Sequence, residues 1–381
     1  MLNFGPVCFK IARHFGFCFG VENAIEIAYQ ALDENPDKRV FLLSEMIHNP
    51  HVNDDLKKRG VQFISKTSGE RLIPFEELNT DDIVIVPAFG TTIEIENELN
   101  ERKISLHKYD TTCPFVEKVW TKSEEIGRQE YTVIIHGKRD HEETRATFSH
   151  ANTKAHVVVI LNIDEAENLA KIIRGEMPEE SFYERFENCY SNGFNPRLHL
   201  NRIGVVNQTT MLANETETIA NLLHQAMINR YGKENSRNHF IDTKDTLCYA
   251  TKENQDATLA LIKDGADFAI IVGGYNSSNT SHLVELCEAH MPTYFIRDAS
   301  ELVSSKQIRH LDIHTKTLMD TINWLPERRE GNTIEIILTA GASCPDVLLD
   351  EVIRKIISWF PDSVSINRAI SSYKDIHENQ T

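Results

Sequence analysis

The sequence predicts an α/β protein built mainly on parallel sheets. Short β-branched runs alternate with helical patterns almost from end to end. Several of these runs are near-continuously apolar, as strands buried on both faces are. The chain has 381 residues and 41% hydrophobic content, enough for a sizeable core. At roughly 150 residues per domain this is two to three domains.

Taken in order, CFKIA reads as a first strand, followed by GFCFGVENAI and a helix with Val21, Ile25, Ala28 and Leu32 on one face. RVFLLSEM and DIVIVPAFG are the next strands, then YTVIIHG, HVVVIL and RIGVVNQTT, which lead into the helical ETETIANLLHQAMINRYG. FAIIVGG, PTYFIRD and IEIILTAG complete the set before the helix DVLLDEVIRKIISWF. A weak repeat runs through this alternation. KYDTTCPFVEKV and FIDTKDTLCYATKEN both read strand, Asp-Thr, cysteine, helix, and residues 8–25 follow the plan without Asp-Thr. The polar, aromatic-spotted stretch 174–201 reads as an insertion. Three related α/β units are expected: 17–112, 113–246 with that insertion, and 247–360 completed by the N-terminal strand 1–16. Residues 361–381 read as a loosely held tail.

Lys and Arg total 40 against 57 Asp and Glu, a net charge of −17. Such a chain repels bulk nucleic acid and anionic membrane surfaces. No apolar run approaches the roughly 18 residues of a membrane span, and the first 20 residues carry neither a signal nor a transit pattern. A cytoplasmic location is the expectation, without nucleic-acid or membrane partners. Seven cysteines, an odd count with no CxxC pair, argue against a disulfide framework or a zinc ribbon.

In open parallel sheets, ligands gather beyond the carboxyl ends of the strands. Those ends carry His48, Phe89-Gly90, His141 with Glu143, Thr209-Thr210, Ser277-Ser278-Asn279 and Ser343. Lys138 and Arg139 are the only cations among them. Short polar side chains with backbone N–H groups suit a phosphate-bearing ligand. Any one such loop reads equally as a helix cap; six together read as a binding face. Cys18, Cys113 and Cys248 each open a helix at a unit junction, where a thiol leans toward the thiolate. Three such ligands suit a zinc with an open position or a cubane iron–sulfur cluster with one iron unligated, and spacing does not choose between them. A reductase, a non-redox hydro-lyase and a metal or redox sensor all stay open at this point.

The motifs GFCFGVENAI, EMIHNPHV, AFGTT, DTTCPFVEKV, HGKRDHEET, NQTT, CYATKENQDA, GGYNSSNT and TAGASCPD follow one another from residue 13 to about 350. In these the chain resembles the 4-hydroxy-3-methylbut-2-enyl diphosphate reductase family, iron–sulfur enzymes that end the non-mevalonate isoprenoid pathway. HEET and the longer middle segment resemble its longer-chain, plastid-type branch. The resemblance implies three similar α/β units in pseudo-threefold arrangement around one 4Fe–4S cluster, held by Cys18, Cys113 and Cys248 with one iron open to the substrate hydroxyl. It implies reductive dehydroxylation to isopentenyl and dimethylallyl diphosphate, with Glu143 as proton donor. Thr209 orders a relay water and the substrate oxygen, and His48, His141, Ser277, Ser278, Asn279 and Ser343 hold the diphosphate. Glu142 is expected to point elsewhere. The implied electron donor is ferredoxin or flavodoxin, for which Lys57, Lys58 and Arg59 are docking candidates. Two positions depart from the family: Phe89, where many members place histidine, and Cys344, which reads as a space filler.

Overall fold

The computed structural model describes residues 1–241, 243, 246–327 and 332–371. All nine runs read as strands above form strands, and these fall into three sheets. Chain contacts divide the protein into two compact units.

The first unit comprises residues 1–18, 48–50 and 249–381. Its seven-stranded sheet runs, edge to edge, Leu2–Asn3, Val7–Ile11, Ile334–Ala340, Phe268–Val272, Thr293–Ile296, Gln307–Asp312 and Thr317–Ile322. The four central strands are parallel, in the registers Val7↔Ile334, Ile270↔Leu338 and Ile270↔Tyr294. The sheet's edges are antiparallel, including a hairpin with Arg309 opposite Asp320. One face packs Phe9, Phe268, Ile270 and Leu338 against Leu348, Leu349 and Val352 of the Asp346–Ile357 helix. The other packs Ile271 and Ile337 against Leu283, Val284 and Cys287 of the Ser278–Glu288 helix. Residues 361–371 do not hang free, as a tail would. The Val364 N–H bonds the Phe4 carbonyl at 3.0 Å, and Ala369 is buried in the same core, because Val364, Ile366 and Ala369 offer it apolar side chains. Residues 372–381 lie outside the described residues.

The second unit comprises residues 19–47 and 51–248. It holds two parallel sheets. One, Gln62–Phe63, Val40–Leu42 and Ile83–Ile85, lies within the expected 17–112 interval. The other, Val157–Ile160, Thr132–His136, Ile203–Asn207 and Phe240–Ile241, lies within 113–246. Of the face Val21, Ile25, Ala28 and Leu32 read from sequence, the Phe19–Glu34 helix buries only Ala28, together with Gly20, Ala24 and Ala31. Small residues let the helix axis approach its neighbours closely, and the larger side chains flank that seam, half-buried. The 174–201 stretch, read as an insertion, is packed against the second of these sheets. Its short helices Glu180–Arg185 and Pro196–His199 bury Phe182, Phe186, Phe194 and Leu200 in the sheet's core. Phe182 meets Phe186 and Phe194 with ring centroids 5.0 Å apart.

Candidate active site

In the first unit, three neighbouring parallel strands end side by side, so the loops that follow them converge. After Phe268–Val272 comes a turn in which Gly273 and Gly274 are required by close approach. A side chain at Gly274 would strike the His48 carbonyl, which brings the His48 segment against this turn. Ser277 then caps the Ser278–Glu288 helix, its hydroxyl accepting from the Thr280 N–H at 3.3 Å. After Ile334–Ala340 comes Ser343, whose Oγ lies 3.4 Å from that of Ser277. After Val7–Ile11 comes Cys18, whose N–H bonds the Ala342 carbonyl at 3.2 Å. His48, Ser277, Ser278 and Asn279 are all buried. Neither Asn279 Nδ2 nor Oδ1 has a hydrogen-bond partner among the described residues. A fully desolvated, unpaired amide costs about 1–3 kcal/mol, and a bound anion with its water would relieve that cost.

In the second unit, the tetrapeptide Asn207–Thr210 organises three loops. Asn207 Oδ1 accepts from Thr246 at 2.5 Å, fixing the approach to Cys248. Gln208 Oε1 accepts from the Lys138 N–H at 3.0 Å and from the Thr144 hydroxyl at 3.1 Å, while its Nε2 donates to Thr210 at 2.7 Å. Thr209 donates its N–H and its hydroxyl to the two Glu143 oxygens at 2.5 and 2.9 Å. Glu143 is 1% exposed, in the first turn of the Glu142–Asn152 helix. Burial pushes its carboxyl up to about 7, outweighing the two Thr209 hydrogen bonds, which favour the charged form. A carboxyl poised there can give or take a proton at neutral pH. His141 caps the helix, its Nδ1 accepting from the Glu143 N–H at 3.2 Å. That bond places the proton of a neutral ring on Nε2, which is buried. Glu142 is buried as well.

Each of the three singled-out cysteines stands immediately before a helix: Cys18 before Phe19–Glu34, Cys113 before Pro114–Arg128 and Cys248 before Tyr249–Lys263. Asp110 shapes the approach to Cys113, its Oδ1 accepting from the Thr112 N–H at 2.9 Å and from the Thr112 hydroxyl. The corresponding Asp-Thr pairs before Cys248 begin at Asp242 and Asp245, which lie outside the described residues. A Cβ at Gly20 would come within 2.6 Å of Cys113 Sγ, so this glycine makes the hollow in which the thiol sits. Cys18 belongs to the first unit and Cys113 and Cys248 to the second. Among the described residues no three His, Cys, Asp or Glu side chains are gathered into a ready-made metal site. The other cysteines are packing residues. Burial raises the thiols of Cys8 and Cys189, and pushes those of Cys287 and Cys344 up to about 12.

The family described as "LytB protein" matches residues 9–357. The chain belongs to the LytB family. The 4-hydroxy-3-methylbut-2-enyl diphosphate reductase of Gloeobacter violaceus is 40% identical to it over 93% of this chain and 84% of the relative, which agrees with the plastid-type branch. The solved structure of the E-1-hydroxy-2-methyl-but-2-enyl-4-diphosphate reductase from Plasmodium falciparum shares its fold, at a TM-score of 0.65 and 21% identity over 92% of this chain and 88% of that one. A second solved structure, described as (E)-4-hydroxy-3-methyl-but-2-enyl diphosphate reductase, the terminal enzyme of the non-mevalonate pathway, matches at 0.54 and 25% over 92% and 99%.

LytB proteins are iron–sulfur enzymes, and this LytB chain offers a donor set of matching chemistry: three soft thiols at helix starts, one in a glycine hollow. Its departures from the family become physical. Phe89 packs edge-to-face on His141, with centroids 5.5 Å apart and planes at 85°, so it orients an imidazole. Cys344 is fully buried beside Leu348 and Ala340 and fills space, as read. Of the candidate docking cations, Lys57 lies 3.7 Å from Asp54 and Arg59 2.7 Å from Asp55, all four side chains being exposed. Sequence reading passed over Gln208 and Gly20. Both sit inside motifs already singled out, beside Thr209 and two residues after Cys18. Among the described residues, no helix is long and apolar enough to cross a membrane.

Proposed function

We propose that this chain reduces 4-hydroxy-3-methylbut-2-enyl diphosphate to isopentenyl and dimethylallyl diphosphate, the last step of the non-mevalonate route. The observation that carries the reading is the buried Glu143 carboxyl, gripped by Thr209 and poised near neutrality. Hydroxide is a poor leaving group, so a proton must reach the oxygen as the C–O bond breaks, and Glu143 supplies it. Thr209 keeps that carboxyl aimed and orders the substrate oxygen through the same hydroxyl. Cys18, Cys113 and Cys248 would hold one 4Fe–4S cluster as its three protein ligands, and one iron would stay open to the substrate. When bound, the cluster supplies electrons and a Lewis-acidic iron for the departing oxygen. His48, His141, Ser277, Ser278, Asn279 and Ser343 hold the diphosphate with imidazoles, hydroxyls and an amide in place of Lys and Arg. Electrons come from a ferredoxin or flavodoxin.

The test is anaerobic purification followed by visible absorption and EPR spectra, then product analysis with and without a reductant. An iron–sulfur spectrum and reductant-dependent formation of both diphosphates are expected. A colourless zinc protein, or turnover without any electron source, sinks the reading.

A further inference from the structure

The helix that begins with Ser278 and Asn279 carries a histidine whose surroundings nothing above explains. His282 is 3% exposed, and its Nε2 is buried without a hydrogen-bond partner among the described residues. Its Nδ1 lies 2.7 Å from Glu285 Oε2, and the Glu285 side chain is 38% exposed, so that end of the pair reaches water. Asn279, three residues earlier and therefore on the same helix face, has an equally unpaired and buried amide. The Tyr249–Lys263 helix packs against this one, and its buried side chains are Thr251, Asn254, Gln255 and Thr258, all polar. The strands beneath contribute apolar Ala269, Ile271 and Phe295 to the packing, and Thr339, on the same strand face as Ile337, adds a buried, uncharged hydroxyl. Glu285 is a charged group paired with His282. A polar seam runs between two helices, open to solvent at Glu285 and ending at the residue assigned to the diphosphate.

We propose that His282, paired with Glu285, is a second proton source for the reaction, feeding the diphosphate end of the site from solvent. The proposal rests on the reading above, whose stoichiometry demands it. Per turnover two electrons enter, the C–O bond breaks, a C–H bond forms and water leaves, so two protons are consumed. Glu143 accounts for one. In the imidazolium form, Nδ1–H stays on Glu285 while Nε2–H passes its proton to an oxygen at the diphosphate end. The neutral ring then regains a proton by way of Glu285 as it turns about its Cβ–Cγ bond between turnovers. A histidine alternates between these forms near neutral pH more readily than any other side chain.

The experiment compares wild type with His282→Ala as cluster-loaded enzymes, under anaerobic conditions with an artificial one-electron donor and with added imidazole. Wild-type turnover of the hydroxylated diphosphate, measured first, tests the reductase reading by itself. The variant then tests the proton source. His282→Ala should keep the cluster spectrum and its affinity for inorganic diphosphate, while kcat falls by roughly 10²-fold, the scale of a lost proton-transfer group. Added imidazole should restore rate in the variant, in proportion to its concentration, and leave wild type unchanged. Glu285→Gln should fall less, because the imidazole remains. If His282→Ala loses its cluster, His282→Asn, which retains a donor toward Glu285, takes its place, with a raised solvent isotope effect on kcat as the expected result. A wild-type rate in either variant, or a loss that imidazole does not restore in a cluster-intact His282→Ala, overturns the proposal.

Discussion

Replacing Glu143 by glutamine separates chemistry from stability at one atom. The substitution keeps size, and the amide can still accept from the Thr209 N–H and donate to its hydroxyl, so the 2.5 and 2.9 Å contacts persist. It removes the transferable proton, and turnover should fall roughly 10²- to 10⁴-fold. Stability should move the other way. The carboxyl's ordinary value of 4.5 is raised to about 7 in the folded protein. A group raised on folding stabilises the native state fully below its unfolded value, and that contribution is lost as pH rises through the folded value. Each pH unit of the gap is worth about 1.36 kcal/mol, so wild type should lose about 3 kcal/mol between pH 4.5 and pH 8 from this residue alone. Glu143→Gln has no such titration and should become the more stable protein at pH 8. Anaerobic thermal unfolding at pH 5 and pH 8, with cluster content and steady-state reduction measured on the same samples, reads both effects. Parallel pH profiles in the two proteins would refute the buried, half-protonated carboxyl. Full activity in a cluster-intact variant would remove Glu143 from the mechanism. Glu142→Gln is not a neutral control, since that side chain is buried too; the exposed Glu187 is suitable.

Serine at Cys18, Cys113 or Cys248 should cost iron and sulfide content, because a hard hydroxyl replaces a soft thiolate. Serine at Cys8, Cys189, Cys287 or Cys344 should leave metal analysis unchanged. Gly20→Ala places a methyl within 2.6 Å of Cys113 Sγ and should lower cluster occupancy, although alanine is the better helix former; an unchanged EPR signal would disprove the hollow. Asn279→Leu should weaken inorganic diphosphate binding in calorimetry yet raise stability by about 1 kcal/mol, since an unpaired buried amide is removed. Lys10→Met should destabilise by about 2 kcal/mol in denaturant titration. The buried ammonium bonds Glu335 at 2.8 Å and the Gly265 carbonyl at 2.7 Å, and both lose a charged donor.

The strands that build the site were legible because each is a continuous apolar run, and a strand buried on both faces leaves no other pattern. The hairpin Gln307–Asp312 and Thr317–Ile322 was not. Its second strand is almost wholly exposed, and its turn is set by Lys316 in a left-handed conformation rather than by a glycine. The first helix misled because alanine and glycine carry little hydropathy, yet they form its buried seam. Within the site, strand-end position singled out Glu143, Thr209 and Asn279, since the rule concerns where loops start. Gln208 and the burial of Glu142 could not be read that way. What they do depends on a hydrogen bond 64 residues away along the chain and on packing between loops. The aromatic cluster of 174–201 hid for the same reason: polar neighbours in sequence surround Phe182 and Phe186, but apolar neighbours surround them in space.

The pairing of Val7–Ile11 with Ile334–Ala340 sets a timetable for biosynthesis. Cys18 follows the first of these strands, and its N–H is held by Ala342 beyond the second. A ribosome must therefore deliver more than 320 residues after this strand before it has its parallel partner. The unit spanning 19–47 and 51–248 faces no such delay, since its two sheets are closed by strands already made. Domains fold during synthesis from the N-terminal side, and long-range parallel pairing is the slow event in folding. Here the N-terminal strand waits while the middle of the chain folds. If the three cysteines hold the cluster as proposed, the first is made before Cys113 and Cys248 and secured after them, so loading waits until residues 334–342 have been made.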